Sequence, residues 1–591
     1  MQAHNLLLIL AVHGHGDCGT PSAHLPIYAL NASPFRFNIV VVGAVEVTMA
    51  VLHNAIRALP VMPPGAALGP ARFALVAGDA QDALALQRAV TAELAEFGVE
   101  ARPLSALDHA TVLLVVPGRA FMGDDAAAFE AAYALAAAFG LRAAEPDLAT
   151  PFFPDDTSVH DGKDPVEEGL SDLLGCWAPA EPGLAPDWAL DAMRVRDAWA
   201  FSEARQRPSR GEGVIVAQPD TGVTSHPELA GVIRAGGFDV LDHDADPTDP
   251  LSGSGNPGHG TATASVLLSP PAGAVTGTAP RARHMPIRAI ESVVRVTQVS
   301  VAEAMDWAVA HGAAVITMSL GGIPSFSLHR ALLRAVAADV IVLAAAGNCV
   351  RTVVWPARYD DCIAVAGTAA NDEPWQGSCR GAAVDISAPG QNVTRARVVP
   401  GSPGDVGQGQ GTSFAVALTA GVAALWLAHH GRANLVAAAR ARGETLQGMF
   451  RRLLRATARR PAGWNSFDYG AGVVDARALL EADLDLGREL ETAEVMMPPA
   501  EQSAATVASL AAEVHPKTAL AEMDWSRFGP EAAARLLRQQ LDPPGGLLES
   551  VVGAPPPSAA LDAAVADPAL RRALGLDDGM TGEVLLDGGR T

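Results

Sequence analysis

The chain has 591 residues, 65 Asp and Glu against 42 Lys and Arg, and a formal net charge of −23. That length exceeds one ordinary domain and leaves room for two or three, with a large buried core. An acidic background without a Lys/Arg cluster argues against nucleic acid and anionic membrane surfaces, so proteins or peptides are the expected partners.

Residues 1–70 give no firm element and read as an N-terminal extension. The apolar run 6–12 lacks a Lys/Arg-bearing start and a small-residue cleavage pattern, so it reads poorly as a secretory signal, and the compartment stays open. Run 39–52 is shorter than a membrane span and contains Glu46, which favours a buried strand or helix. His13, His15 and Cys18 read as part of a flexible terminus rather than a metal tract.

The pattern sharpens from residue 71. Residues 72–76 read as a strand, and 81–97 as a helix with Leu86, Val90, Leu94 and Phe97 on one face. Strands at 99–104 and 111–116 follow. A helix capped by Asp124 then runs through Phe129, Tyr133 and Phe139, and a short strand precedes Glu145. Strand, helix, strand, strand, helix, strand is the split βαβ order of a small α+β, ferredoxin-like domain over 71–149. Residues 150–186, rich in Pro, Asp, Glu and Gly, suit an exposed and cleavable linker.

Trp188 opens a helical entry to a third region, 187–480. There, strand-like runs ending at Asp220 and at 314–318 and 340–344 alternate with helices at 301–311 and 327–338. That alternation predicts an α/β fold, a doubly wound and mostly parallel sheet with helices on both faces. Ligands in such sheets gather at the carboxyl ends of strands, where Asp220, Ser319 and Asn348 fall. Residues 481–591 carry 8 Lys/Arg against 19 Asp/Glu with repeated Pro breaks. They read as an acidic, Ala/Pro-rich tail, either mobile or a small helical appendage.

Three tripeptides carry the chemistry: Asp220-Thr221-Gly222, His259-Gly260-Thr261 and Gly411-Thr412-Ser413. A serine hydroxyl is a weak nucleophile until an imidazole takes its proton, and the imidazole needs a carboxylate to fix its tautomer. Ser413 precedes the apolar, helix-favouring run 414–427, so it stands at a helix N-terminus that favours developing negative charge. Each tripeptide alone is a weak signal. Ser319-Leu320-Gly321-Gly322 and Ala344-Ala345-Ala346-Gly347-Asn348 lie between the histidine and the serine, each after an apolar run.

This set of five, in this order, resembles the subtilisin-like (S8) serine peptidases over roughly 188–480. The resemblance implies a serine endopeptidase acting on protein or peptide substrates through an acyl-enzyme. Ser413 would be the nucleophile, His259 the general base and acid, Asp220 its orienter and Asn348 an oxyanion donor. Ser319, Leu320, Gly321, Ala345, Ala346 and Gly347 would bind an extended substrate strand, with Val354 near the floor of an apolar, medium-sized pocket. The α+β domain would be an inhibitory, folding-assisting propeptide, removed by self-processing within the linker. No cofactor is required, although many relatives bind calcium. Asp242, Asp244, Asp246 and Asp249 form an acidic loop that departs from an EF-hand at Pro247 and lacks a closing glutamate, so a solvated loop competes with a weak Ca²⁺ site.

Several positions depart from the family pattern. Ala417 replaces the usual proline, Thr263 and Ser265 replace small-apolar and glycine residues, and Pro219 removes a strand donor beside Asp220. The last is the best argument for a catalytically weak, peptide-binding relative; a ligase or cyclase using the same acyl-enzyme is the other alternative. Cys349 and Cys362 bracket the pocket loop, where a bridge and two reduced thiols are equally compatible with the sequence.

Overall fold

The computed structural model describes residues 48–62, 69–78, 82–121, 125–148, 178–251, 256–291, 293, 298–399, 401–488, 499–515, 523–540 and 556–576. The expectations for residues 6–18, the Asp124 cap and most of the linker lie outside them.

The N-terminal part is built from strands β1 (Ala71–Val76), β2 (Glu100–Pro103), β3 (Thr111–Val116) and β4 (Ala143–Pro146), in the antiparallel order β2-β3-β1-β4. Two helices join them, α2 (Ala83–Glu93) and α3 (Asp125–Phe139). Asp82 caps α2, its carboxylate accepting the Ala85 N–H. Leu86 and Val90 of α2 are buried against Phe73, Leu75, Val112 and Leu114 of the sheet. The unit also begins earlier than expected: residues 49–58 form a helix, α1, whose Leu52 and Ile56 join that core.

The larger part carries α4 (Trp188–Ala192) and α5 (Val195–Glu203), then an eight-stranded sheet. Its strands are β5 (Ile215–Asp220), β6 (Ile233–Arg234), β7 (Phe238–Asp239), β8 (Arg283–Arg288), β9 (Val315–Met318), β10 (Ile341–Ala345), β11 (Ile363–Thr368) and β12 (Ile386–Pro389). The order is β12-β11-β10-β9-β5-β8-β6, all parallel, with β7 also on β8. Helices α6 (His259–Leu268), α7 (Gln298–Ala310), α8 (Phe326–Ala337) and α9 (Thr412–His430) cover the faces, and a hairpin of β13 (Val393–Val399) and β14 (Ser402–Gly409) packs on α6. Helix α9 is long and apolar enough to cross a membrane but is wholly buried, which makes it the core helix of this sheet.

Of the two readings of the tail, mobile or helical, its described part is helical, with helices at Pro499–Val514, Trp525–Gln540, Ala559–Ala564 and Pro568–Ala573. Val507, Leu510, Phe528, Leu536, Leu537, Leu561 and Leu570 share one apolar core with Phe129 and Tyr133 of α3 and Trp355 of the larger part. Glu531 accepts the Tyr133 hydroxyl at 2.8 Å, and Arg538 pairs with Asp125. On the other side Thr506 accepts the Trp355 indole N–H at 3.1 Å, and Glu513 pairs with the buried Arg358 at 2.6 Å. The sequence signal was an apolar stripe on each helix, spread over short segments between Pro breaks.

The α+β part also docks directly. Buried Glu145, at the end of β4, accepts the N–H groups of Phe326 and Ser327 and so caps α8, while Asp147 accepts the Val299 N–H at 3.2 Å and caps α7. Arg102 pairs with Glu303 at 2.7 Å, and Arg330 and Arg334 of α8 reach Asp108.

Near the end of α9, His429 faces the Ser202 hydroxyl at 2.8 Å and stacks on Phe201. Burial, then the neighbouring His430, Arg207 and Arg205, push its pKa down to about 4. A depressed folded value means that the unfolded chain binds the proton better, so the stabilisation is present above about pH 6.5 and is lost as pH falls towards 4. The melting temperature should therefore drop between pH 7 and 4.5, and less steeply in His429→Gln. Equal slopes in the two proteins would refute this role.

Candidate active site

The sheet order sets β10, β9 and β5 side by side, so Asn348, Ser319 and Asp220 line up along one carboxyl edge. Asp220 ends β5 with its side chain fully buried. His259 opens α6, and its Nδ1 lies 2.8 Å from Asp220 Oδ1. An ionised carboxylate only accepts, so Nδ1 carries the proton and Nε2 keeps its lone pair. The close approach of α6 to the turn after β5 depends on Gly260, where a Cβ would stand 2.1 Å from the Gly222 carbonyl oxygen. Thr221 ties the two segments: its hydroxyl donates to Asp249 at 2.7 Å and accepts the Gly260 N–H at 3.1 Å.

Ser413 lies in the first turn of α9 and is 8% exposed. Its hydroxyl donates to the Ser319 carbonyl at 3.3 Å, and Ser319 Oγ returns a bond to the Ser413 carbonyl at 3.0 Å. Asn348 Oδ1 accepts both the Thr412 N–H and the Thr412 hydroxyl at 2.9 Å. That anchoring turns its amide NH₂ toward the Gly411–Ser413 turn: Nδ2 is 3.4 Å from where a Cβ on Gly411 would sit.

The expected pocket residues also meet. Ser319, Leu320 and Gly321 follow β9, and Ala345, Ala346 and Gly347 end or follow β10. Val354 lies between the two segments, its N–H donating to the Ala346 carbonyl at 3.1 Å. A Cβ added to Gly321 would meet Val354 Cγ2 at 2.3 Å, and one added to Gly347 would meet it at 2.9 Å. Gly347 also holds φ at +110°, a region that L side chains rarely adopt.

Some expectations need correction. Pro219 does not displace the carboxylate. The Ala314 N–H donates to the Ile215 carbonyl, so odd-numbered residues of β5 turn their backbone groups to β9, and that ladder ends at Ala217. The donor missing at Pro219 therefore falls past the paired region. A Cys349–Cys362 bridge does not form. Cys362 is free and buried, its thiol pKa pushed upward by burial, whereas Cys349 is disulfide-bonded.

The acidic loop spends its oxygens locally. Asp242 pairs with Arg288, Asp244 and Asp246 cap their own turn, and Asp249 holds Thr221 and the Gly258 N–H. Among the described residues no three His, Cys, Asp or Glu side chains converge. At Ala417, helix α9 runs on unbroken. Thr263 and Ser265 are more than packing changes, since Thr263 bonds Asp220 and the Ser265 hydroxyl accepts the Ala396 N–H of the hairpin at 3.0 Å.

The family model described as the subtilase family matches residues 211–472. Thermitase of Thermoactinomyces vulgaris is 36% identical over 243 residues, which is 41% of this chain and 81% of that protein. Subtilisin BL of Lederbergia lenta is 37% identical over 226 residues, 38% of this chain and 79% of that protein. An alkaline protease of Alkalihalobacillus alcalophilus is 35% identical over 256 residues, 42% of this chain and 64% of that protein. Motif order, sheet topology and the extent of these matches agree: the chain belongs to the subtilase family of serine peptidases.

Proposed function

We propose that this serine endopeptidase hydrolyses peptide bonds with Ser413 as nucleophile, His259 as proton acceptor and donor, and Asp220 as the group that orients the imidazole. The observation that carries the reading is the 2.8 Å contact between His259 Nδ1 and a fully buried Asp220 at the carboxyl edge of the sheet. For attack the Ser413 hydroxyl, which here donates to the Ser319 carbonyl, has to give up that bond and donate to the imidazole instead. The proton passes to Nε2 as Oγ attacks the carbonyl carbon, and His259 then returns it to the leaving amine. The Asn348 amide, held by Thr412, and the Ser413 N–H receive the oxyanion. Water repeats the sequence on the acyl-enzyme. This route needs no cofactor. Relatives named as proteases favour hydrolysis over ligation or mere peptide binding.

The docked α+β part supports an autoinhibited precursor. Glu145 and Asp147 hold it on α8 and α7, a few residues ahead of the linker in sequence. The test is a fluorophosphonate probe on the full-length chain. It should attach at Ser413 and leave Ser413→Ala unlabelled; no labelling of the unmodified chain would end the reading.

Val354 fills the space between Gly321 and Gly347, so the pocket takes small to medium apolar side chains before the scissile bond. Val354→Gly should raise kcat/KM for Phe over Ala at that position by roughly 10-fold or more, the range that a few methylenes of pocket space supply. An unchanged Phe/Ala ratio would place the pocket elsewhere.

A further inference from the structure

Behind the proposed triad lies a polar chain that the hydrolytic mechanism does not use. Asp220 presents two carboxylate oxygens to a fully buried site. Oδ1 takes the His259 Nδ1–H at 2.8 Å and the Thr221 N–H at 2.7 Å. Among the described residues Oδ2 has a single side-chain donor, the Thr263 hydroxyl on the next turn of α6, at 3.2 Å. A buried carboxylate oxygen left without a donor is costly and free to swing, so this bond bears on where the catalytic carboxylate points.

The direction of that bond is fixed from further back. The Arg234 guanidinium donates to His284 Nδ1 at 2.5 Å. Nδ1 therefore accepts, and Nε2 carries the ring proton, which it donates to Gln218 Oε1 at 2.7 Å. Burial, then Arg234, holds the His284 pKa well below its usual value, in keeping with a neutral ring. With its oxygen so engaged, Gln218 must point its NH₂ the other way, to the Gly260 carbonyl at 2.9 Å and to Thr263 Oγ1 at 2.7 Å. Thr263 thus receives a proton from Gln218 and must place its own elsewhere. Its neutral choices are the carbonyls of His259 at 3.1 Å and Gly260 at 3.3 Å. The second is already occupied by Gln218, and a charge-assisted bond to a carboxylate is roughly twice as strong as a neutral one.

We infer that Thr263 is a positioning residue of the triad, donating to Asp220 Oδ2, and that Gln218 and His284 orient it by accepting and donating in a fixed sense from Arg234 inward. The inference rests on the assignment of Asp220 and His259 made above. Gln218 and Thr263 form a matched pair on neighbouring elements, β5 and α6, and either alone would leave the other a buried polar group without its partner. Other charged groups near Asp220 are engaged elsewhere: Arg288, opposite it in β8, pairs with Asp239 and Asp242, and Asp249 holds Thr221 and the Gly258 N–H.

The experiment compares the full-length chain with Thr263→Val, which keeps the shape and removes the hydroxyl, and with Thr263→Ser, which restores it. The readouts are the pH profile of kcat/KM on a chromogenic peptide anilide and the rate of fluorophosphonate labelling. Thr263→Val should lower kcat about 10- to 100-fold, the worth of a hydrogen bond to a charged group, with KM within about 2-fold. Its acid limb should move to higher pH, because a carboxylate without its donor stabilises the imidazolium more strongly. Thr263→Ser should recover most of the rate and the original limb. A Thr263→Val protein with unchanged rate and limb, or a Thr263→Ser protein as impaired as Thr263→Val, overturns the inference. Should the valine variant fail to fold, Gln218→Met carries the same prediction at smaller amplitude, and an unchanged limb there is equally fatal. Failure of the triad assignment itself looks different, because labelling of the unmodified chain would then be absent or would persist in Ser413→Ala.

Discussion

Ser413→Ala is expected to lower kcat by about 10⁶, His259→Ala by a similar factor, and the double variant by no more than either alone, magnitudes carried over from subtilisin, a relative of this chain. The lack of additivity is the informative part. The hydroxyl and the imidazole act as one unit: without the base the alcohol is not activated, and without the alcohol the base has nothing to deprotonate. What remains would be the rate supplied by the proposed oxyanion donors, Asn348 and the Ser413 N–H, together with substrate positioning. Steady-state kinetics on the three variants measures it. Independent losses that multiply in the double variant would mean that the two residues serve different steps, and the mechanism above would be wrong.

Removing the tail by ending the chain after Arg488 is expected to lower stability by several kcal/mol and to loosen the α+β part from the peptidase. Among the described residues, ten large apolar side chains of the tail are buried in the core shared with Phe129, Tyr133 and Trp355. Burying one such side chain contributes about 1.5–3 kcal/mol, an upper figure since part of that burial is internal to the tail. The cut would also strip Arg358, which is 3% exposed on its side chain, of its Glu513 partner, and buried charges tolerate such a loss poorly. Thermal melting and limited proteolysis of the shortened chain read the effect. A melting temperature equal to that of the full chain, with residues 71–148 equally protected, would show that the tail is dispensable.

The sequence was most legible where chemistry and periodicity coincide. Asp220, His259 and Ser413 sit in short motifs at element ends, and the alternation of strands and helices announced the parallel sheet that brings Asp220, Ser319 and Asn348 to one edge. Val354 was legible only through the family resemblance. Three things were hidden. Thr263 looks like a minor departure and Gln218 carries no signal at all, and their meaning lies in a contact between a strand and a helix 45 residues apart. Helix α1 begins in a stretch whose apolar residues had no clear period. The tail's buried stripe was masked by its net acidic composition and Pro breaks, because charge is visible in composition and docking is not.

The contact between Asp125 and Arg538 joins residues 413 apart in sequence. At typical ribosomal speeds of about 5–20 residues per second, helix α3 leaves the ribosome roughly 20–80 s before the segment that covers it. During that interval Phe129 and Tyr133 wait without the helix that packs on them, so the two pieces cannot close on each other until the segment around Arg538 has been made.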